Sequence, residues 1–293
     1  DLIGGLAEKK QLTTIRHGAR VVVATPGRLE DYLQRGLVDL RSVKIAVLDE
    51  ADRMLDMGFL PAIKRIFSVL PQRRQTLCFS ATMEQSVAGL VNQYLLNPVR
   101  VALGSTLKPA ESVELQAFEV SAMQKADLLR QLLCEQQGRT LVFARTKRGT
   151  ERLAKQLVRD GFAAGMIHGD RSQAQRTAAL NNFEQGTIKV LVATDLAARG
   201  LHVQEIAHVI NYDLPALPED FIHRIGRTGR AGASGLATTL VSGAELFELK
   251  SIERALKLRI KRKEITLGNP PKQAAIAPLR SRTLTAMPGE VFI

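Results

Sequence analysis

A chain of 293 residues is long enough for two ordinary domains, each with its own core, and 45% apolar residues is a globular composition that excludes a disordered chain. A formal charge of +12 points to a polyanionic partner, most simply nucleic acid, while 4% aromatics and no Trp exclude a reader that works by stacking on bases. No apolar stretch approaches the roughly 18 residues of a membrane span, and the two thiols, Cys78 and Cys134, lack metal-ligand spacing and read as reduced core cysteines of a cytoplasmic protein.

In chain order, Leu6, Ala7, Leu12 and Ile15, after the pair Gly4-Gly5, have the spacing of a short amphipathic helix. Val21 to Ala24 is a β-branched and Ala run, expected as a buried strand. Thr25-Pro26-Gly27-Arg28 then opens a helix near Pro26, where a missing N–H does no harm, and a helix N-terminus beside Gly and Arg suits a phosphate. Ile45 to Leu48 has the length and content of a buried parallel strand and delivers Asp49, Glu50 and Asp52 to its carboxyl end, the edge where open α/β sheets bind ligands. An Asp there can hold Mg²⁺ through water, and a neighbouring Glu can orient or deprotonate an attacking water. A solvated turn after a core strand is the competing reading of a bare Asp-Glu pair. Pro61 to Leu70 reads as a helix with Ile63, Ile66, Phe67 and Leu70 on one face, and Arg74 to Phe79 as the next strand. Ser80-Ala81-Thr82 ends that strand, with Ser80 or Thr82 capping a helix over Glu84 to Leu95.

Gly104 to Ser112 is polar and holds Gly and Pro, which predicts a linker between two periodic regions. Beyond it, strands at Leu141 to Ala144, Gly165 to His168, Val190 to Ala193 and His208 to Asn211 alternate with helices, one of them from Lys147 to Asp160 ending at Gly161. VLVATDL at Val190 echoes VVVATPG at Val21. Arg145 at a strand end reads as a phosphate contact or a plain surface Arg, and Gln173 and Arg176 share one helical face. Thr194, Gly200 and His202 follow the Val190 strand, and His223 to Arg230, HRIGRTGR, sets three arginines among glycines. Gly235 to Val241 reads as the last strand, Glu245 to Leu258 as a helix, Lys257 to Lys263 as a basic exit, and the end of the chain from Gly268 as a disordered tail.

DEADRMLDMGF at Asp49, SAT at Ser80, TPGR at Thr25 and HRIGRTGR at His223, in that family's arrangement, resemble the DEAD-box ATP-dependent RNA helicases of superfamily 2, with wording most similar to the bacterial RhlE-like kind. The resemblance implies an α/β fold of two RecA-like lobes with parallel sheets: a first lobe over 1–103, a linker over 104–112, a second lobe over 113–262 and a flexible basic tail over 263–293. It implies ATP and Mg²⁺ as cofactors, with Mg²⁺ held through water by Asp49, Glu50 activating water, and Asp52, Ser80, Thr82 and His223 relaying lobe closure. Arg227 and Arg230 would be arginine fingers, and Gly200 and His202 would lie at the nucleotide. The RNA backbone would meet Gly4, Gly5, Thr25, Gly27, Arg28, Arg145, Gln173, Arg176 and Thr194, through phosphates and 2′-hydroxyls.

Two features depart from the pattern. Where the family continues Arg-Gly-Leu-Asp this chain has His202, whose neutral imidazole could bond a ribose hydroxyl but whose cation could not accept one, so weaker nucleotide coupling is expected. No G-x-x-x-x-G-K-[ST] and no Gly-Lys dipeptide occurs. The resemblance therefore implies a first lobe whose phosphate loop would precede Asp1, leaving these residues alone with weak RNA binding and negligible ATP hydrolysis. The expected protein is a cytoplasmic, monomeric, RNA-bound ATPase without membrane contact. The rival expectations are a non-enzymatic RNA-binding half-helicase and a DNA helicase of the same superfamily.

Overall fold

The computed structural model describes residues 2, 8–83, 85–102, 112–198, 203, 205–229 and 233–264. The chain divides into two compact units, one made of 1–109 with 172–175, the other of 110–171 with 176–293. Apart from Ser112, the expected linker at 104–112 lies outside the described residues, as does the expected tail apart from Lys263 and Glu264.

The first unit runs α1 Glu8–Arg16, α2 Pro26–Gln34, β1 Ile45–Leu48, α3 Ala51–Asp56, α4 Leu60–Val69, β2 Gln75–Cys78 and α5 Gln85–Tyr94. β1 and β2 pair in parallel, Ile45 opposite Gln75 and Leu48 opposite Cys78, so the chain between them must cross over, and α3 with α4 makes that crossover. The apolar face expected on α4 is buried: Ile63, Ile66 and Phe67 pack with Leu40, Leu48 and Leu90 into one core.

Two expectations for this unit are corrected. Val21 to Ala24 is not a buried strand: Val21, Val22 and Val23 are 80%, 39% and 59% exposed, and only Ala24 pairs, in an isolated parallel bridge with Leu2. Ile45 and Val47 of β1 are likewise more than half exposed, so the three buried parallel strands expected here are, among the described residues, a two-stranded pair and a bridge. The cause is neighbourhood. A parallel strand is buried only where others flank it and helices cover both its faces, and among the described residues these runs have no such cover.

The second unit holds β3 Val113–Glu119, α6 Lys125–Glu135, β4 Arg139–Phe143, α7 Lys147–Arg159, β5 Ala164–Ile167, α8 Gln173–Glu184 from Arg176 onward, β6 Val190–Ala193, α9 Asp195–Ala198, β7 Ile206–Asn211, α10 Pro218–Ile225, β8 Gly235–Val241, α11 Leu246–Leu256 and β9 Lys261–Lys263. All pairings are parallel, in the order β5-β6-β4-β7-β8-β3-β9. Every strand expected in this unit is present, and Gly161 ends α7 with φ 89° as a left-handed cap. The correction concerns the end: Gly235 to Val241 is not the last strand, because Lys261 to Lys263 of the expected basic exit pairs with β3 at the sheet edge. An edge strand of lysine and arginine tolerates water and resists pairing with another chain.

The order reverses at β4. The connection from β4 leads to β5 on one side, and the connection from β6 crosses to β7 on the other. That reversal opens a crevice at the carboxyl ends of β4, β6 and β7, the position where such sheets bind ligands.

Candidate functional site

In the first unit the site grows from the end of β1. Leu48 is buried, Asp49 is exposed, and Asp49 Oδ1 accepts a 3.0 Å hydrogen bond from the Glu50 amide. Glu50 then takes the left-handed conformation, φ 51° and ψ 52°, directly before α3. That conformation costs a non-glycine residue of order 1 to 3 kcal/mol and is kept where the surroundings impose it. They do so here: the Ala51 amide donates to Phe79 O at 3.0 Å, Ala51 is wholly buried, and the Glu50 carboxylate lies 2.5 Å from Arg53 Nη1. Arg53 was passed over in the sequence, although its i,i+3 spacing from Glu50 is the signal for such a pair.

Asp52 gathers the expected partners. Its Oδ2 accepts from the Thr82 amide at 2.9 Å and from Thr82 Oγ1 at 3.2 Å, its Oδ1 accepts from the Arg53 amide at 2.9 Å, and its own amide donates to Ser80 Oγ at 3.3 Å. Burial pushes the Asp52 carboxyl up, but the bonds from Arg53, Thr82 and Ser80 outweigh it and hold the group below the usual range, ionised. Burial, with the Asp52 charge adding to it, raises the neighbouring Cys78 thiol.

Among the described residues no three His, Cys, Asp or Glu side chains form a metal cage. An exposed strand-end carboxylate is nonetheless the donor that Mg²⁺ uses when it keeps its waters and takes its other ligands from phosphates, so Asp49 fits that ion. At the other polar turn, Thr25 stands before α2 with no side-chain cap bond, and Pro26 begins the helix. Arg28 lies in its first turn over the Tyr32 ring at 5.3 Å, with Nη1 3.4 Å from the Tyr32 hydroxyl. Gly27 is not demanded by space, since a Cβ there would meet Phe59 only at 3.7 Å.

In the second unit the crevice at β4, β6 and β7 is organised by Arg224, which is 1% exposed. Its guanidinium bonds both Asp195 oxygens at 2.5 and 2.7 Å, Asn211 Oδ1 at 3.1 Å and Asp213 O at 2.6 Å, and lies 4.9 Å over the Phe143 ring. The sequence reading gave Arg224 no role. Its signal was the pattern Phe221, Arg224, Ile225 at i, i+3, i+4, which turns the Arg to the same buried face as its apolar neighbours. Around it, Asp195, Ala198, Asp220, His223 and Arg227 line a shallow cleft, with Arg227 Nε donating to His223 O at 3.2 Å. Gly229 must be glycine: φ is 67° and an added Cβ would lie 2.4 Å from Val113.

Thr194 is buried, and its carbonyl accepts from the amides of Ala197 and Ala198, opening α9. Arg145 is exposed, with its amide on Asp213 Oδ2 at 2.9 Å and Nη2 3.4 Å from Leu214 O. Gln173 and Arg176 both sit in the first turn of α8, partly buried. Gly4, Gly5, Gly200, His202 and Arg230 lie outside the described residues.

The chain matches two family models, one for the DEAD/DEAH box helicase over residues 1–90 and one for the helicase conserved C-terminal domain over 124–232. It is 42% identical over 262 residues to the DEAD-box ATP-dependent RNA helicase CshA of Geobacillus kaustophilus, covering 89% of this chain and 56% of that one, so it spans little more than half of that relative's length. Among solved structures it resembles S. cerevisiae Dbp5 bound to RNA and ADP BeF3, with a TM-score of 0.78, 32% identity and coverage of 84% and 66% of the two chains. It also resembles a DEAD box protein from the hyperthermophile Methanococcus jannaschii, with a TM-score of 0.51, 39% identity and coverage of 89% and 72%. With α/β units of parallel strands, an Asp-Glu-Ala-Asp turn tied to Ser80 and Thr82, and these matches across both units, the chain belongs to the DEAD-box helicase family.

Proposed function

We propose that this chain is the ATP- and RNA-handling part of a DEAD-box RNA helicase that opens duplexes locally when two lobes close over ATP. The first lobe is 1–103, the linker 104–112, the second lobe 113–262 and the tail 263–293. The observation that carries the reading is Asp52, ionised and bonded to Ser80 and Thr82, one turn beyond Asp49 and Glu50. Asp49 would hold Mg²⁺ through water, an ion that supplies charge neutralisation on the phosphates. Glu50 orients or deprotonates the attacking water, with Arg53 fixing its carboxylate. Asp52, Ser80, Thr82 and His223 link closure to hydrolysis, Arg227 and Arg230 stabilise the charge developing on the phosphoryl group, and Gly200 and His202 meet the nucleotide.

RNA backbone contacts fall to Gly4, Gly5, Thr25, Gly27, Arg28, Arg145, Gln173, Arg176 and Thr194, and the charge of +12 supports a phosphate-tracking surface. Dbp5, which the chain resembles, is solved with RNA and a nucleotide. The RhlE-like subtype rests on the wording of the motifs alone. A monomer in the cytoplasm is the matching state, in keeping with the free thiols of Cys78 and Cys134 and with the lack, among the described residues, of any helix long and apolar enough to cross a membrane.

These 293 residues contain no G-x-x-x-x-G-K-[ST], so by themselves they hydrolyse ATP negligibly. In a protein that supplies the phosphate loop, Glu50→Gln is expected to keep ATP and RNA binding while RNA-stimulated turnover falls about 10² to 10⁴-fold. Turnover that survives the change removes Glu50 from its role.

A further inference from the structure

Between α6 and the seven-stranded sheet lies a cavity of about 380 Å³ that shares no lining residue with the cleft of Asp195, His223 and Arg227. That is within the size range of small-ligand pockets. Phe118, Leu128, Leu132 and Leu236 give it apolar walls. Two of its lining residues, Gln116 of β3 and His208 of β7, join Thr238 of β8 in a polar triad that crosses three strands, all three at most 3% exposed. Thr238 Oγ1 sits 2.7 Å from Gln116 Nε2 and 2.7 Å from His208 Nε2. Gln116 Oε1 and His208 Nδ1 are also buried, and among the described residues neither has a partner. Both residues line the cavity, and a buried polar group without a partner is costly to keep.

What the triad offers a ligand is set by the single proton of Thr238. With Gln116 donating to Thr238 and the hydroxyl donating on to His208 Nε2, Nδ1 carries the imidazole proton and Gln116 Oε1 accepts. With the amide turned over, Thr238 donates to Gln116, His208 Nε2–H donates to Thr238, Nδ1 accepts, and the amide nitrogen donates. Either arrangement presents one donor and one acceptor. Both require a neutral imidazole, and burial keeps His208 neutral, pushing it down to about 4. At the exposed mouth stand Glu114, Glu135 and Glu264 with Lys263, whose Nζ is 3.9 Å from Glu114. On a chain of net charge +12, this acidic mouth disfavours phosphates and carboxylates.

We propose that this cavity binds a small ligand without phosphate or carboxylate, recognised by a planar edge that sets a hydrogen-bond donor beside an acceptor. A primary carboxamide and the base edge of cytosine share that chemistry. The site lies apart from the helicase reading and does not rest on it.

The test titrates benzamide and cytidine into the full chain labelled with ¹⁵N-histidine and reads the His208 ring nitrogens, with benzoate and cytidine monophosphate as charged counterparts. The expected result is a saturable shift at His208 Nδ1 in the millimolar range for benzamide, cytidine or both, the responding probe naming the source, with the charged counterparts at least about tenfold weaker. Gln116→Leu should weaken binding about tenfold or more. Because that change also strips a partner from Thr238, the exposed double variant Glu114→Gln/Glu135→Gln is measured too, and it should narrow the gap between benzamide and benzoate. No saturable shift at His208, equal binding of benzoate and benzamide by the unaltered chain, or a gap unmoved by the double variant overturns the proposal.

Discussion

VVVA at Val21 and VLVA at Val190 differ by one residue and have opposite fates. Val190 to Ala193 is a strand buried at every position, paired on one side with β5 and on the other with β4. Val21 to Val23 are exposed and join no strand. Their strand propensity is the same, so propensity does not decide burial. Paired neighbours and covering helices do. The same contrast runs through the two sites, one ordered by a buried ion pair and the other by an exposed one.

The ion pairs give the largest test. Arg224 is 1% exposed on Asp195, whereas the Arg53 and Glu50 side chains are 21% and 45% exposed. Arg224→Met is expected to destabilise the second unit by about 3 to 5 kcal/mol, because Asn211 Oδ1, Asp213 O and the half-buried Asp195 carboxylate lose their shared donor at once, and Arg53→Met the first by no more than about 1 kcal/mol. Equal costs in denaturant unfolding would break the comparison.

The echoing runs come next. Leu191→Ala should cost about 2 to 5 kcal/mol as it empties a place in the core, and Val22→Ala about 0.5 kcal/mol or less. A comparable loss at Val22 would mean that its exposed surface is covered in solution.

The pH dependence sharpens the contrast further. His208 is held down to about 4 by burial against about 6.5 when unfolded, so below 6.5 the unfolded chain binds a proton that the folded chain refuses. Stability of the second unit is therefore complete above 6.5 and falls by roughly 3 kcal/mol as pH drops through about 4. His208→Asn should flatten that slope in unfolding curves followed across the range. A small effect is expected at the carboxylate turn of the first unit: Thr82→Val removes one of the two Thr82 bonds to Asp52, costs about 1 kcal/mol and raises the Asp52 carboxyl, readable as a carboxyl titration by NMR.

The second unit was legible almost strand by strand because its apolar runs are short, β-branched and separated by helices of clear period, as at Leu153, Ala154 and Leu157 in α7. Two strands were not: β3, Val113–Glu119, was not among the expected strands, and Lys261 to Lys263 of β9 has no apolar residue and is a strand only because β3 offers it an edge. Of the sites, the carboxylates, hydroxyls and arginines stand in plain motifs, and Asp52 meets Ser80 and Thr82 as expected. Arg224 and Arg53 stand in those same motifs, but their partners, Asp195 and Glu50, are set by helix faces that the motif wording does not describe. The triad of Gln116, His208 and Thr238 was invisible, because its members come from three strands far apart in the chain.

The sequence by itself determined the kind of most elements and the family, since period, turn residues and motif spacing are properties of neighbours along the chain. Only the tertiary structure decided which strands are buried, which arginine lies at the centre of the crevice and which polar atoms are left without partners. Burial and pairing depend on residues brought together from distant parts of the chain, and no local run carries that information.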